Sequence, residues 1–599
     1  MSPSEKPSPA STPRGSARRG SGSAAPVPPA SDLPEDDRAA LERRVDELTA
    51  GARSWTALTL RQRATLLGRV RHTVGVAAED WARTAAASKG LGPTHPLRGE
   101  EWLSGPYAVL GGLDGYIASL DRLARGGSPL DGVRLDTAPG DRVRAHVYPA
   151  HLIDSVLLSG FTGEIWLRPG LSPADAARTA GLAQLRPSDG GGLGLVLGAG
   201  NITSIPVLDV LYELLAENRV VLLKVNPTQD ALVPVLERAL APLIEPGFVR
   251  IVRGGGDVGA HLTQHPAFSH VHITGSAATF DAIVWGTGTD AAARRSAGDP
   301  RLTTPITAEL GGVSPIIVVP GPWTDADLRY QAEHIATMRL QNSGHNCIAG
   351  QVVIVSRDWP QREAFLRALH AAYADAPERP VWYPHAAERV AAVAAEYPQA
   401  QHSAHGARLL VELSAHDDPR ALETTEWFAP VLGVVELAGT GHEFLDGAIA
   451  HANERLAGTL GANVLIDPVT EQALGDDLDR AIADLRYGGI AINTWTGVLF
   501  ATPALSWGAF PGGTLDDVGS GIGVVHNTLL LDGVERSVLR GPFRPFPRSL
   551  TGGRFSVLPK PPWFVSSRTG AAVSEGLTRY LIDHRVGGLA ATLAKALGA

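Results

Sequence analysis

Hydrophobic positions along this chain change their spacing in a regular way. Leu41, Val45 and Leu48 recur at helical intervals, a second helical run spans Leu60 to Val76, and residues 80 to 125 continue mostly helical up to Gly126-Gly127. Between Arg142 and Leu167 the pattern turns β-rich, with Val143, Val147, Ile153, Val156, Leu158 and the run Glu164-Ile165-Trp166-Leu167. An alternation follows. Leu193 to Leu197 predicts a short strand closed by Gly198-Ala199-Gly200, and Pro206 opens a helix through Val207, Val210, Leu211 and Leu214. Val220 to Val225 is continuously apolar, as a parallel strand buried on both faces would be. A helix through Leu236 and Leu240, a strand Phe248 to Val252, and a strand His270 to Ile273 ending at Thr274-Gly275-Ser276 complete the series. Strands alternating with helices predict a doubly wound parallel sheet of the α/β class.

A second α/β series starts near Pro305. It has a strand Pro315 to Val319, a helix through Leu340, a polar loop and a strand Gln351 to Val355. Mixed segments run on to about Asp532. Leu577, Leu581, Leu589, Leu593 and Leu597 predict a terminal amphipathic helix. The first 37 residues, rich in Pro, Ser, Ala and Gly without apolar periodicity, predict a disordered tail.

Composition narrows the function. The 599 residues need more than one core, and 44% hydrophobic with 19% charged content suits a globular protein. A net charge of −9 offers no basic field to collect phosphates, so nucleic acid is not expected as a partner. No apolar stretch approaches the roughly 20 residues of a membrane span. A single cysteine excludes a disulfide framework and a cysteine-rich metal site.

Four segments carry chemistry. Gly198-Ala199-Gly200-Asn201 closes a parallel strand, where glycines admit a ligand to the backbone and an amide can polarise a carbonyl. Lys224 finishes a buried strand, either capping it in solvent or meeting a ligand. Glu309-Leu310-Gly311-Gly312 offers a carboxylate with room for water, as a general base needs, or simply an exposed loop acid. In Asn342-Ser343-Gly344-His345-Asn346-Cys347 the lone cysteine sits in a polar, glycine-bounded loop, unlike a structural thiol inside an apolar run. His345 is either its helper or scenery.

These segments, in this order and with Glu426-Trp427-Phe428-Ala429-Pro430 further on, resemble the aldehyde dehydrogenase superfamily over roughly residues 38 to 530. The resemblance implies a Rossmann-type dinucleotide-binding domain (38–139 and 169–304) and an α/β catalytic domain (305–529). It also implies a small β oligomerisation extension (140–168 with about 530–560), leaving a C-terminal extension (561–599). It implies that Cys347 attacks an aldehyde, that Asn201 with the Cys347 N–H holds the oxyanion, and that Glu309 activates water against the thioester. Lys224, Gly256, Thr274, Gly275, Ser276, Glu426 and Phe428 would lie along NAD or NADP. A cytoplasmic homodimer or homotetramer acting on a small aldehyde is the expectation.

There are departures from the family pattern. Pro227 stands where NAD-preferring members often carry an acid, so NADP is permitted alongside NAD. Ile202 replaces an aromatic residue beside Asn201, and the late Pro-Phe-Gly-Gly pattern reads Ala509-Phe510-Pro511-Gly512-Gly513. Trp495, Phe500, Trp507 and Phe510 are either walls of a substrate tunnel or core. Three rivals remain: a coenzyme A-acylating dehydrogenase, a non-catalytic relative, and a cysteine hydrolase with His345 as base. The first commonly lacks the Glu found here at 309.

Overall fold

The computed structural model describes residues 33–414 and 416–598. The expected tail therefore lies mostly outside the described residues. Where it can be followed, the chain is already helical from Glu35, and Glu35, Asp36 and Asp37 place three acids against the positive end of the helix Glu35–Thr56.

Two sheets organise the α/β architecture. The first has the order Gly521–Ile522, Ile306–Leu310, Phe268–Gly275, Leu193–Leu197, Val220–Lys224, Val249–Val252, with all but the first of these strands parallel to their neighbours. Every residue of Leu193–Leu197 and Val220–Lys224 is buried, which explains their unbroken apolar runs. The helices Glu35–Thr56 and Ile205–Leu215 pack against them, making this a Rossmann-type layer.

The second sheet has eleven strands. Its parallel core is Gly489–Ile492, Gly461–Leu465, Ser314–Val318, Gly350–Ser356, Val431–Leu437 and Arg408–Glu412. Val534–Arg540 joins it in parallel on one side and meets Thr162–Leu167 antiparallel on the other. Arg142–Tyr148 and then Arg134–Ala138 extend this antiparallel part to the outer edge. The antiparallel strands are thus continuous with the parallel part of the same sheet. Among the described residues no helix is long and apolar enough to cross a membrane.

Two stretches differ from the sequence pattern. Ile153 and Val156 lie in a short helix, Leu152–Leu157, with exposures of 42% and 50%. The cause is local: the Asp154 carboxylate accepts from the N–H groups of Ala150 and His151, capping a turn that no strand partner competes for. The terminal amphipathic pattern is two helices, Gly570–Asp583 and Val586–Ala596, because His584 takes a left-handed conformation (φ 54°) between them.

Candidate active site

The parallel strands of the first sheet end at one cleft of about 1650 Å³. Gly200, Asn201, Lys224, Gly256, Thr274, Gly275, Ser276, Glu309, Cys347, Glu426 and Phe428 all line it, although they come from seven separate stretches of the chain. Carboxyl ends of parallel strands are where open α/β sheets take ligands.

Cys347 is delivered by a helix that cannot continue. The helix Asp325–Leu340 starts with a reciprocal cap, in which Thr324 and Asp327 each accept the other's backbone N–H. It ends where Asn342, Ser343 and Gly344 all take left-handed φ (52°, 55° and 74°), which turns the chain into the cysteine loop. Strand Gly350–Ser356 then fixes the far side. Glu309 comes from the other sheet, at the end of Ile306–Leu310. The Cys347 thiol donates to Glu309 Oε1 at 3.2 Å, and Trp507 Nε1 donates to the same oxygen at 3.1 Å. Burial pushes the Glu309 carboxyl up to about 7, with these two hydrogen bonds pulling the other way. Burial also lifts the Cys347 thiol well above its ordinary range, and the Glu309 carboxylate adds to the rise.

Asn201 Nδ2 donates to the His345 carbonyl at 2.9 Å, so the strand-end amide is held against the cysteine loop. His345 itself is fully buried. Its Nδ1 lies 2.8 Å from the Phe428 carbonyl, Trp382, Tyr383 and Phe428 surround the ring, and burial pushes its pKa down to about 3. A neutral imidazole committed to a carbonyl is a strut between loops, and it leaves the thiol to Glu309.

Glu426 meets the glycine pair that follows Glu309. A Cβ on Gly311 would fall 1.9 Å from Glu426 Oε1, so a larger residue there would make that carboxylate shift. Burial, reinforced by the charge of Glu309, raises Glu426 to about 8, and Oε1 has no hydrogen-bond partner among the described residues. Lys224, which lines the same cleft, is buried, with its pKa lowered by desolvation and partly restored by Asp230 and Asp257. Ser276 caps the helix Ala277–Trp285 and Gly256 opens the helix Gly256–Thr263, so two helix N-termini face the same space. Thr274 differs from its neighbours: its hydroxyl donates to Asp209 at 3.0 Å and sits 3.2 Å from His272 Nε2. Pro227 opens a 3-10 turn capped by Asn226.

None of Trp495, Phe500, Trp507 and Phe510 lines the cleft. Trp495 and Trp507 are core residues, and Phe500 packs edge-on against Trp507. Two residues named in the sequence take part in ways the sequence did not indicate. Trp507 binds Glu309 across 198 residues, and Asn342 bonds several segments at once; neither leaves a local signature. Among the described residues no group of three or more His, Cys, Asp or Glu side chains is placed to hold a metal ion.

The family model for the aldehyde dehydrogenase family matches residues 203–508. The chain belongs to that family. Betaine aldehyde dehydrogenase 2 of Rhizobium meliloti is 37% identical over 128 residues, 21% of this chain and 23% of that protein. The 3,6-anhydro-alpha-L-galactose dehydrogenase of Streptomyces coelicolor is 25% identical over 333 residues, 55% of this chain and 53% of that protein. The alignments thus span about a quarter and about half of those relatives. Among solved structures, an NAD-dependent aldehyde dehydrogenase from Sinorhizobium meliloti superposes with a TM-score of 0.55 at 20% identity, covering 82% of this chain and 85% of its own. An E. coli NADP-dependent enzyme gives 0.55 at 17% identity, covering 84% and 90%. These likenesses show a shared aldehyde dehydrogenase fold.

Proposed function

We propose that this protein oxidises an aldehyde to a carboxylic acid, with Cys347 as nucleophile and NAD or NADP bound along the cleft. The observation that carries this reading is the 3.2 Å contact from the Cys347 thiol to the Glu309 carboxylate, inside a cleft that also holds Asn201. A thiol attacks as thiolate, and a buried one needs a base. Glu309, raised to about 7, is matched to that task near neutral pH.

In this reading Glu309 accepts the thiol proton as Sγ bonds to the carbonyl carbon. The oxygen of the adduct takes hydrogen bonds from the Asn201 amide and the Cys347 backbone N–H. Removing one such donor typically costs roughly 3 to 4 kcal/mol of transition-state stabilisation. The nicotinamide ring, when bound, supplies the hydride acceptor that makes the adduct a thioester. Glu309 releases the thiol proton to solvent before hydrolysis; it then takes a proton from the water that attacks the thioester carbon and returns it to Cys347 Sγ as the C–S bond breaks and the acid leaves.

The residues present suit a dinucleotide. Lys224 brings a buried ammonium to the cleft with Asp230 and Asp257 as its counter-charges, Gly256 and Ser276 present helix N-termini to it, and Glu426 has an oxygen without a partner near the thiol. Lys224 would contact the adenosine ribose, with Gly256, Gly275 and Ser276 along the chain of phosphates. Thr274 would serve through its backbone, its hydroxyl being engaged elsewhere. Glu426 and Phe428 would hold the nicotinamide end. Pro227 leaves room for NADP as well as NAD. The same reading takes the protein as a cytoplasmic homodimer or homotetramer, supported by the open outer edge at Arg134–Ala138.

The test is an aldehyde panel with NAD and with NADP, on the wild type and on Cys347→Ser, followed by reduced-nicotinamide absorbance and acid release. The Ser variant is expected to lose roughly a thousand-fold or more of kcat/KM. Full turnover by the Ser variant sinks the mechanism. Acid release independent of coenzyme A is expected, and an acyl-thioester product formed only with coenzyme A would replace hydrolysis by transfer.

A further inference from the structure

Four ionisable side chains that the mechanism does not use are buried together against the cysteine loop: Lys89, Glu100, Glu101 and Arg379. Lys89 Nζ binds Glu101 at 2.8 Å and lies over the Trp382 ring. Arg379 donates to Glu100 and, at 3.1 Å, to Glu101, so the cluster balances two cations with two carboxylates. Burial raises the Glu100 carboxyl while Arg379 opposes the rise. Ion clusters of this kind rarely outdo apolar packing as a source of stability, and one attested use is to specify a single conformation.

All the outward bonds of this cluster converge on Asn342. Glu100 Oε2 accepts the Asn342 backbone N–H at 3.0 Å. Arg379 Nη2 and Trp382 Nε1 donate to its carboxamide oxygen at 3.0 and 3.2 Å. That fixes the carboxamide the other way round, with Nδ2 donating to the carbonyls of Asn201 (3.3 Å) and His345 (3.0 Å). Asn342 is held in the left-handed region, with Ser343 beside it likewise, and Ser343 Oγ donates to the carbonyl of Pro380 at 2.8 Å. Sparsely populated backbone of this kind persists only where the surroundings over-determine it.

We infer that the Glu100–Arg379 pair is a positioning device that clamps Asn342 so that one carboxamide ties the Asn201 turn to the cysteine loop. The pair touches no reacting atom. It sets the placement of the oxyanion amide relative to the sulfur, and so rests on the reading of Cys347 and Asn201 given above. Its backing comes from the C-terminal extension: a Cβ on Gly99 would lie 2.6 Å from Ala571 Cα, so the helix Gly570–Asp583 presses directly on the turn before Glu100. Lys89, Glu100, Glu101 and this helix all lie outside residues 203–508, the part matched by the family model.

The test is a double-mutant cycle on the full chain. Glu100→Gln with Arg379→Met removes both charges together and leaves no unpaired ion. Thermal unfolding and dinucleotide affinity establish that the variant is folded. Its kcat is expected to fall roughly a hundred-fold with KM changed little, the scale of a misplaced group. Asn201→Ala, expected to cost roughly 100-fold or more in the wild type, should then cost under about ten-fold on this background, because the amide it removes is already misplaced. Arg379→Lys is expected to restore part of the loss. Should the paired variant fail to fold, the same cycle with Trp382→Phe, which removes one donor to Asn342, decides. Additive losses, or an unchanged kcat, overturn the inference. A wild-type background on which Asn201→Ala costs nothing overturns the role of Asn201 instead.

Discussion

At the residue scale, one carboxyl sets the pH behaviour. In the proposed mechanism Glu309 must be ionised to take a proton from water, and burial pushes its pKa up to about 7. The ionised fraction rises through that value, so single-turnover acid release should increase with pH and level off above it. Trp507 Nε1 donates to the carboxylate and so favours its charged form. Trp507→Phe removes that donor, and the midpoint of the profile should move upward. A midpoint that stays put, or moves down, would mean the indole bond does not tune the base. The type of residue at each strand end was legible: the stretches singled out for Asn201, Lys224, Glu309, Cys347 and Glu426 do line one cleft. What stayed hidden were bonds between distant segments. Nothing local marks Trp507 as the partner of Glu309, or Asn342 as a link to Asn201, because both depend on how two sheets meet. His345 shows the reverse case. Its nearness in sequence to Cys347 suggested a helper, yet the backbone turn points the ring at Phe428.

At the element scale, close backbone contacts decide how helices seat on the sheet. Gly51 lies in the helix Glu35–Thr56, and a Cβ there would fall 2.0 Å from the Gly247 carbonyl oxygen and 2.5 Å from its carbon. Both are backbone atoms, and neither swings aside. Alanine gains up to about 1 kcal/mol over glycine in a helix interior. Overpacking costs about 1 to 3 kcal/mol and more against backbone, so the clash wins. Gly51→Ala should lower the thermal midpoint, whereas Gly68→Ala, in the helix Leu60–Ser88 with open space around the new methyl, should leave it equal or higher. Equal midpoints for the two variants would contradict this seating. Buried parallel strands were the most legible elements, since both faces demand apolar residues and the runs are continuous. Leu152–Leu157 was not, because a single capping aspartate outweighs β-branched composition when no neighbouring strand is available. The break at His584 escaped for a similar reason: the apolar spacing continues across it while the backbone does not.

At the scale of the whole molecule, the eleven-stranded sheet ends in an open edge. Arg134–Ala138 pairs with Arg142–Tyr148 on one side only, and its other side meets no strand among the described residues. Edge strands left bare tend to be paired or defended with charge. Here the defence is spent internally: Asp136 is bound by Arg144 at 2.7 Å, His146 at 2.9 Å and Arg134 at 3.3 Å, so the strand's own charges pair with one another and with its inner neighbour. An edge so placed, continuous with the sheet that carries Cys347, is suited to take a strand from another copy. Mass measurement at micromolar concentration should therefore give a dimer or a tetramer. N–H groups alternate in direction along an edge strand, so of Leu135→Pro and Asp136→Pro one removes an outward donor and the other an inward one. The outward variant should yield smaller species that still bind the dinucleotide, since the cleft is built within one chain. A wild type that is monomeric throughout that range, or an assembly indifferent to both prolines, would place the contact between subunits elsewhere or remove it.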